Sequence, residues 1–127
     1  MARPARRGGV HKVVVTGPAT IADVGIVADR LAAAAAQQGS AAVALDGVPL
    51  ARPGGVAQAA AGRLVGHDVV LLACPSPQQD AAGLRLAETA DAVVLVVPHG
   101  VGERELADVV GRFRRIDAPP LSYVTLR

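Results

Sequence analysis

Three short runs in this chain, Val13-Val14-Val15, Asp68–Ala73 (DVVLLA) and Ala92–Val97 (AVVLVV), are apolar with almost no alternation. Successive side chains of a strand point to opposite faces, so a half-buried strand alternates and one buried on both faces does not. The runs therefore predict the inner strands of a parallel sheet. Each is followed by turn residues and then by a helical pattern. After Val10–Thr16 and Gly17, the stretch Pro18–Gly25 makes a loop and a first helical turn. Ile21, Val24, Ala28, Leu31 and Ala35 then recur at 3-4 spacing until Gly39 stops the helix.

The remaining elements repeat this plan. A second strand, Ala41–Leu45, ends at Asp46-Gly47, and Val48–Gly55 (VPLARPGG) is loop by its Pro and Gly content. A short helix is expected over Val56–Val65, with Gly66 as its stop. Ser76-Pro77-Gln78-Gln79 predicts a capping box, with Ser76 as N-cap and Pro77 in the first helical position of a helix reaching Thr89. Leu106, Val109, Val110, Phe113 and Ile116 share one face of a helix over Glu103–Ile116. Its acidic start and its Arg112, Arg114 and Arg115 finish suit the helix dipole. Pro119-Pro120 breaks the chain before a last strand, Leu121–Leu126. Five strands alternating with four helices make an α/β fold, a three-layer doubly wound parallel sheet. Residues 10–127 read as one domain behind a basic leader, 1–9.

Composition narrows the function classes. Of 127 residues, 51% are hydrophobic and 2% aromatic, so the core is aliphatic, with Phe113 and Tyr123 the only aromatics. Lys12 is the single lysine among 13 basic residues, and the net charge is +2. The cations are spread along the chain without interleaved aromatics, which argues against a nucleic-acid surface. One cysteine, Cys74, allows no internal disulfide and fits a reducing compartment. No apolar run is long enough for a bilayer, so a cytoplasmic location is expected. The leader, with Arg3, Arg6 and Arg7, reads as a flexible tail or as a linker meeting anionic lipid at the inner face of the membrane.

Few side chains carry chemistry. Thr20 and Asp23 have the spacing of a capping box that closes the first helix with its own side chains. Cys74 and His99 follow inner strands on the edge where α/β sheets bind ligands. No base is placed for Cys74, and a metal pair with His99 lacks further ligands. His11 and His67 precede strands on the opposite edge. Gly100-Val101-Gly102 reads as a turn and Arg52-Pro53 as exposed loop.

The strand–loop–helix frame, together with HDVVLLACPSP and LAETADAVVLVVPHGVGERELADVV, resembles one branch of the P-loop NTPases. That branch holds the chromosome-partitioning and cell-division ATPases and the bacterial capsular-polysaccharide tyrosine kinases, and the similarity is greatest to the kinases. It implies strand order 2-3-1-4-5, against the flavodoxin-like alternative 2-1-3-4-5. A phosphate loop of this class reads G-x-x-x-x-G-K-[ST], whose lysine reaches the phosphates and whose hydroxyl holds magnesium. Laid on this chain it puts Pro18 and Asp23 at the glycines, Val24 at the lysine and Gly25 at the hydroxyl. The carboxylate expected after the third strand falls at Ala73, whereas Asp46 matches the second-strand aspartate on the magnesium side.

The resemblance thus implies a degenerate phosphate-loop position comprising Thr16, Gly17, Thr20, Asp23 and Gly25, with Asp46 as a former magnesium-side residue. No catalytic residue, metal or cofactor is expected. The chain reads as a pseudo-ATPase, a regulatory or scaffolding module with a protein partner, either a membrane-bound polysaccharide-export component or a second copy. The alternatives are a nucleotide switch that still binds ATP weakly, or residual NTPase or kinase activity. A receiver-type domain would need paired acids after the first strand, where Thr16-Gly17 stand.

Overall fold

The structure is a computed structural model that describes residues 11–51 and 68–126. Within them five strands form one all-parallel sheet: β1 (His11–Thr16), β2 (Ala42–Asp46), β3 (Val69–Ala73), β4 (Ala92–Pro98) and β5 (Ser122–Leu126). The α-helices among these residues are α1 (Ile21–Gln37), α2 (Ala82–Ala87) and α3 (Glu103–Arg115), and Pro49–Ala51 forms one 3-10 turn. The expected leader, the helix over Val56–Val65, Arg52-Pro53 and His67 lie outside the described residues.

The strand order is β2-β3-β1-β4-β5. Val13 stands opposite Leu71 on one side and Ala92 on the other, so β1 is central. A flavodoxin-like order would pair β1 with β2, and that alternative is excluded. Both faces of the sheet carry a core. Val14, Val70, Leu72, Val93 and Leu95 face α2 and α3, which contribute Leu86, Ala87, Val109 and Phe113. Val15, Leu71, Ala73 and Val96 face α1, which contributes Val24, Val27 and Ala28. Two-sided burial is what the unbroken apolar runs encode. At the amino edge, carboxylates finish the ladders: Asp91 accepts from the Lys12 N–H at 2.7 Å and Asp68 from the Ala41 N–H at 3.0 Å.

The helices differ from expectation at two points. The buried stripe of α1 is Val24, Val27 and Ala28, with Leu31 alongside, whereas Ile21 stands 49% exposed. The end of α1 is as expected: Gly39, with φ of 91°, lets the Gly39 and Ser40 N–H groups reach the Ala36 and Ala35 carbonyls. The helix expected from Ser76 does not start there. Ser76 and the turn after it close on themselves, with the Gln79 and Asp80 N–H groups on the Ser76 carbonyl at 2.8 and 3.0 Å. The Asp80 carboxylate then accepts from the Ala82 N–H at 2.8 Å, and α2 begins only at Ala82. The competing acceptor at Asp80 restarts the chain five residues later than the capping-box pattern implies.

Phe113 is fully buried between α3 and the sheet, among Val14, Val93 and Leu95. Phe113→Ala is expected to lower the unfolding free energy by about 3–5 kcal/mol, read from urea denaturation. At the end of α3 the residue in the left-handed region is Asp117, with φ of 59°, where Gly39 serves for α1. Asp117→Gly is therefore expected to raise stability by roughly 0.5–1 kcal/mol in the same assay, because glycine holds that conformation without a Cβ clash.

Candidate functional site

The carboxyl ends of β1, β3 and β4 converge where α/β sheets ordinarily hold ligands. Thr16 ends β1 fully buried, and its hydroxyl donates to the Pro75 carbonyl at 2.8 Å, tying the loop after β1 to the loop after β3. Gly17 follows with φ of 144°. A Cβ there would stand 2.4 Å from the Val96 carbonyl oxygen, so only glycine can make this crossing over β4. Pro18 is buried too, and around it the Ala19 N–H closes on the Gly17 carbonyl at 2.7 Å. Thr20 then caps α1, its hydroxyl accepting from the Asp23 N–H at 3.2 Å.

The expected phosphate-loop residues do not gather at one site. Thr16 and Gly17 are sealed beneath the loop. Thr20 and Asp23 line a cleft of about 420 Å³ with Pro18, Ser76, Gln79, His99 and Glu105 among its walls. Gly25 and Asp46 line a second, of about 260 Å³, together with Ile21, Asp29 and Ala73. The N-terminal turn of α1 stands between the two.

The charges in these two clefts have one sign, whereas a third, of about 510 Å³, shares Asp23 and His99 with the first and is lined by Arg30. Asp23 and Glu105 wall the first and Asp29 and Asp46 the second, and neither is lined by a Lys or Arg among the described residues. Asp46 is further committed locally, since its carboxylate accepts from the Val48 N–H at 3.0 Å. Val24, where the resemblance sets a phosphate-loop lysine, is 0% exposed and packs on Val15, Leu71 and Val96. Its side chain belongs to the core beneath α1 and does not reach either cleft. The sequence marks Ser76 and Gln79 only as a helix cap and Glu105 only as part of an acidic helix start, and it does not mark Asp29. Their places in the two clefts follow only from the strand order.

Cys74 and His99 are separated in environment. His99 is exposed in the larger cleft, whereas Cys74 is fully buried, its thiol donating to the Leu72 carbonyl at 3.6 Å. A Cβ on Gly47 would meet the sulfur at 2.5 Å, so the thiol lies directly on that glycine. Burial, reinforced by Asp46 and Asp80, pushes the Cys74 thiol up to about 12. At neutral pH it is a protonated, space-filling group and no nucleophile. No cluster of three or more metal-ligating side chains occurs among the described residues.

No protein-family model matches the chain, and no characterised protein or solved structure is significantly similar to it.

The raised thiol has a consequence for stability. The unfolded thiol ionises near its ordinary value of 9.0 and the folded one only near 12, so folding holds a proton that the unfolded chain loses. Stability from this source is complete below pH 9 and falls as the pH rises toward 12, at up to roughly 1.4 kcal/mol per pH unit. Cys74→Ala should lack that slope, so the difference between the two proteins' denaturation midpoints should change as the pH rises above 9. The native thiol should also resist alkylation at pH 8 unless denaturant is present.

Proposed function

We propose that this chain is a non-catalytic domain, a pseudo-ATPase in type, that works by contact with other proteins and not by turning over nucleotide. The observation that carries this reading is Val24. Where a phosphate-loop lysine would project toward a nucleotide, an aliphatic side chain is packed against the sheet. The surroundings support the same reading. Pro18 offers no N–H, Thr20 occupies the Asp23 N–H, and the adjoining clefts present carboxylates where phosphate oxygens would need cations.

The residues at this edge do not fit a magnesium nucleotide. A magnesium ion is held by one or two protein carboxylates together with phosphate oxygens and water. Asp46 offers one carboxylate already engaged by Val48, and the end of β3 offers Ala73. Charge-assisted contacts contribute roughly 1.5–3 kcal/mol each, so losing three would carry a micromolar site beyond millimolar.

The setting, beside a membrane partner in the export or chain-length control of a surface polysaccharide, rests on the resemblance of the β3 and β4 segments to the capsular-polysaccharide kinases. The order β2-β3-β1-β4-β5 is compatible with that class. Among the described residues no helix is long and apolar enough to cross a membrane.

Calorimetric titration with ATP or GTP in the presence of magnesium is expected to give no binding heat up to millimolar nucleotide. Val24→Lys should not create binding, and should lower the thermal midpoint because it buries an ammonium in an aliphatic core. Micromolar binding by the native chain would overturn the proposal in favour of a nucleotide switch.

A further inference from the structure

The sheet ends at β5, and nothing among the described residues pairs with its outer side. Natural edge strands are ordinarily blunted by lysine, proline, a bulge or a covering element. Ser122-Tyr123-Val124-Thr125-Leu126 contains no charged residue and no proline, and it pairs with β4 without interruption over all five residues. Leu121 at its start is 75% exposed and Tyr123 is 49% exposed. The Leu126 carbonyl accepts from the His99 N–H, so the peptide groups of Leu126 face β4. By the alternation of a strand, those of Tyr123 and Thr125 face outward.

We infer that β5 pairs antiparallel with β5 of a second copy of this chain, about a two-fold axis at Val124, joining two five-stranded sheets into one of ten. The register follows from the outward groups. Tyr123 and Thr125 are two apart, so an axis through Val124 sets the Tyr123 of each copy opposite the Thr125 of the other. Each such pair exchanges both N–H···O bonds, giving four in all. Val124 meets its own counterpart at the close, non-hydrogen-bonded position on the face that α1 covers. A symmetric contact of this kind needs a surface complementary to itself, and an uncharged strand meets that condition without like-charge repulsion.

The charge along α3, which packs over β1 and β4 beside this edge, favours a second copy over an unrelated strand. α3 leads into β5 and carries Glu103 and Glu105, with Arg104 between them, in its first turn and Arg112, Arg114 and Arg115 in its last, so it is net acidic at its start and basic at its end. Arg112 is engaged by Asp108 at 2.9 Å, which leaves Arg114 and Arg115 exposed. The two-fold runs the two α3 helices antiparallel, so the acidic end of each lies toward the basic end of the other. A parallel addition would set like ends side by side. One strand pair is a small interface, and the association is accordingly reversible and concentration-dependent.

Sedimentation equilibrium from about 1 µM to about 1 mM tests this. The native chain is expected to move from the mass of one chain to twice that mass. Thr125→Pro removes an outward N–H and leaves the bonds to β4 in place, so it should hold the protein monomeric with an unchanged far-ultraviolet spectrum. Val124→Cys under mild oxidation should give a covalent dimer several-fold faster than Thr125→Cys, because only Val124 faces itself. A native chain monomeric throughout, or a dimer that Thr125→Pro leaves intact, overturns the inference. So does amide-exchange protection of Tyr123 and Thr125 that persists in a dilute monomer, since the edge would then be covered by the same chain. If Thr125→Pro perturbs the fold, equal cross-linking rates at positions 124 and 125 overturn the inference by themselves.

Discussion

The chain leaving β1 passes so close to β4 that backbone lies on backbone. A Cβ on Gly17 would fall 2.8 Å from the Val96 nitrogen and closer still to its carbonyl oxygen. The crossing is open to glycine alone, and much of the carboxyl edge is placed by it. Thr16 just before it reaches Pro75, Pro18 just after it is buried, and Thr20 starts α1 on the far side. Because α1 leaves from this point, it lies back across β1 toward β3 and β2, and Val24 is turned into the sheet. A tight passage at one glycine thus decides which side chains of the first helical turn can face a ligand.

The sign of the charge around that edge runs against the sign of the whole chain. The protein is net positive, yet both clefts beside the start of α1 are walled by carboxylates. Among the described cations, Arg112, Arg114 and Arg115 stand at the far end of α3 and Lys12 in β1, near the opposite edge of the sheet, while Arg104 lies in the first turn of α3 and Arg30 lines a third cleft with Asp23 and His99. Net charge therefore says little about what a cleft attracts here. Local placement decides it, since screening confines an exposed charge to about a Debye length.

Most of the fold was legible because two-sided burial writes itself into composition. The runs at Val13–Val15, Val69–Ala73 and Ala92–Val97 could be little else than inner strands, and their bounds hold to within a residue or two. The stripe of α3 was legible for a similar reason, since helical spacing and burial agree at Val109 and Phe113. What failed was local competition. Ser76 has the residues of a helix start, but Asp80 offers a second acceptor four residues on, and pattern alone cannot rank the two. The Thr20 cap was readable, being a contact within one turn. The grouping of Asp23 with Glu105, or of Asp29 with Asp46, was not, because it exists only after β1 is inserted between β3 and β4.

That insertion bears on how the chain reaches its fold. Of the five described strands β1 is synthesised first and lies in the middle of the sheet, and its partners are Val69–Ala73 and Ala92–Leu95. β2 pairs with β3 and β4 with β5 without it, so β1 is the one strand that joins two otherwise separate pairs. A nascent chain would carry β1 with both edges open until β3 had emerged and with one still open until β4 followed, and each of its ladders closes a long loop. Folding then resembles the setting of a keystone: the earliest segment waits longest, and the two halves are not one body until it is seated. Conditions that delay β4 would leave an apolar strand exposed to other chains, which makes the interval before Ala92 emerges the vulnerable one for aggregation.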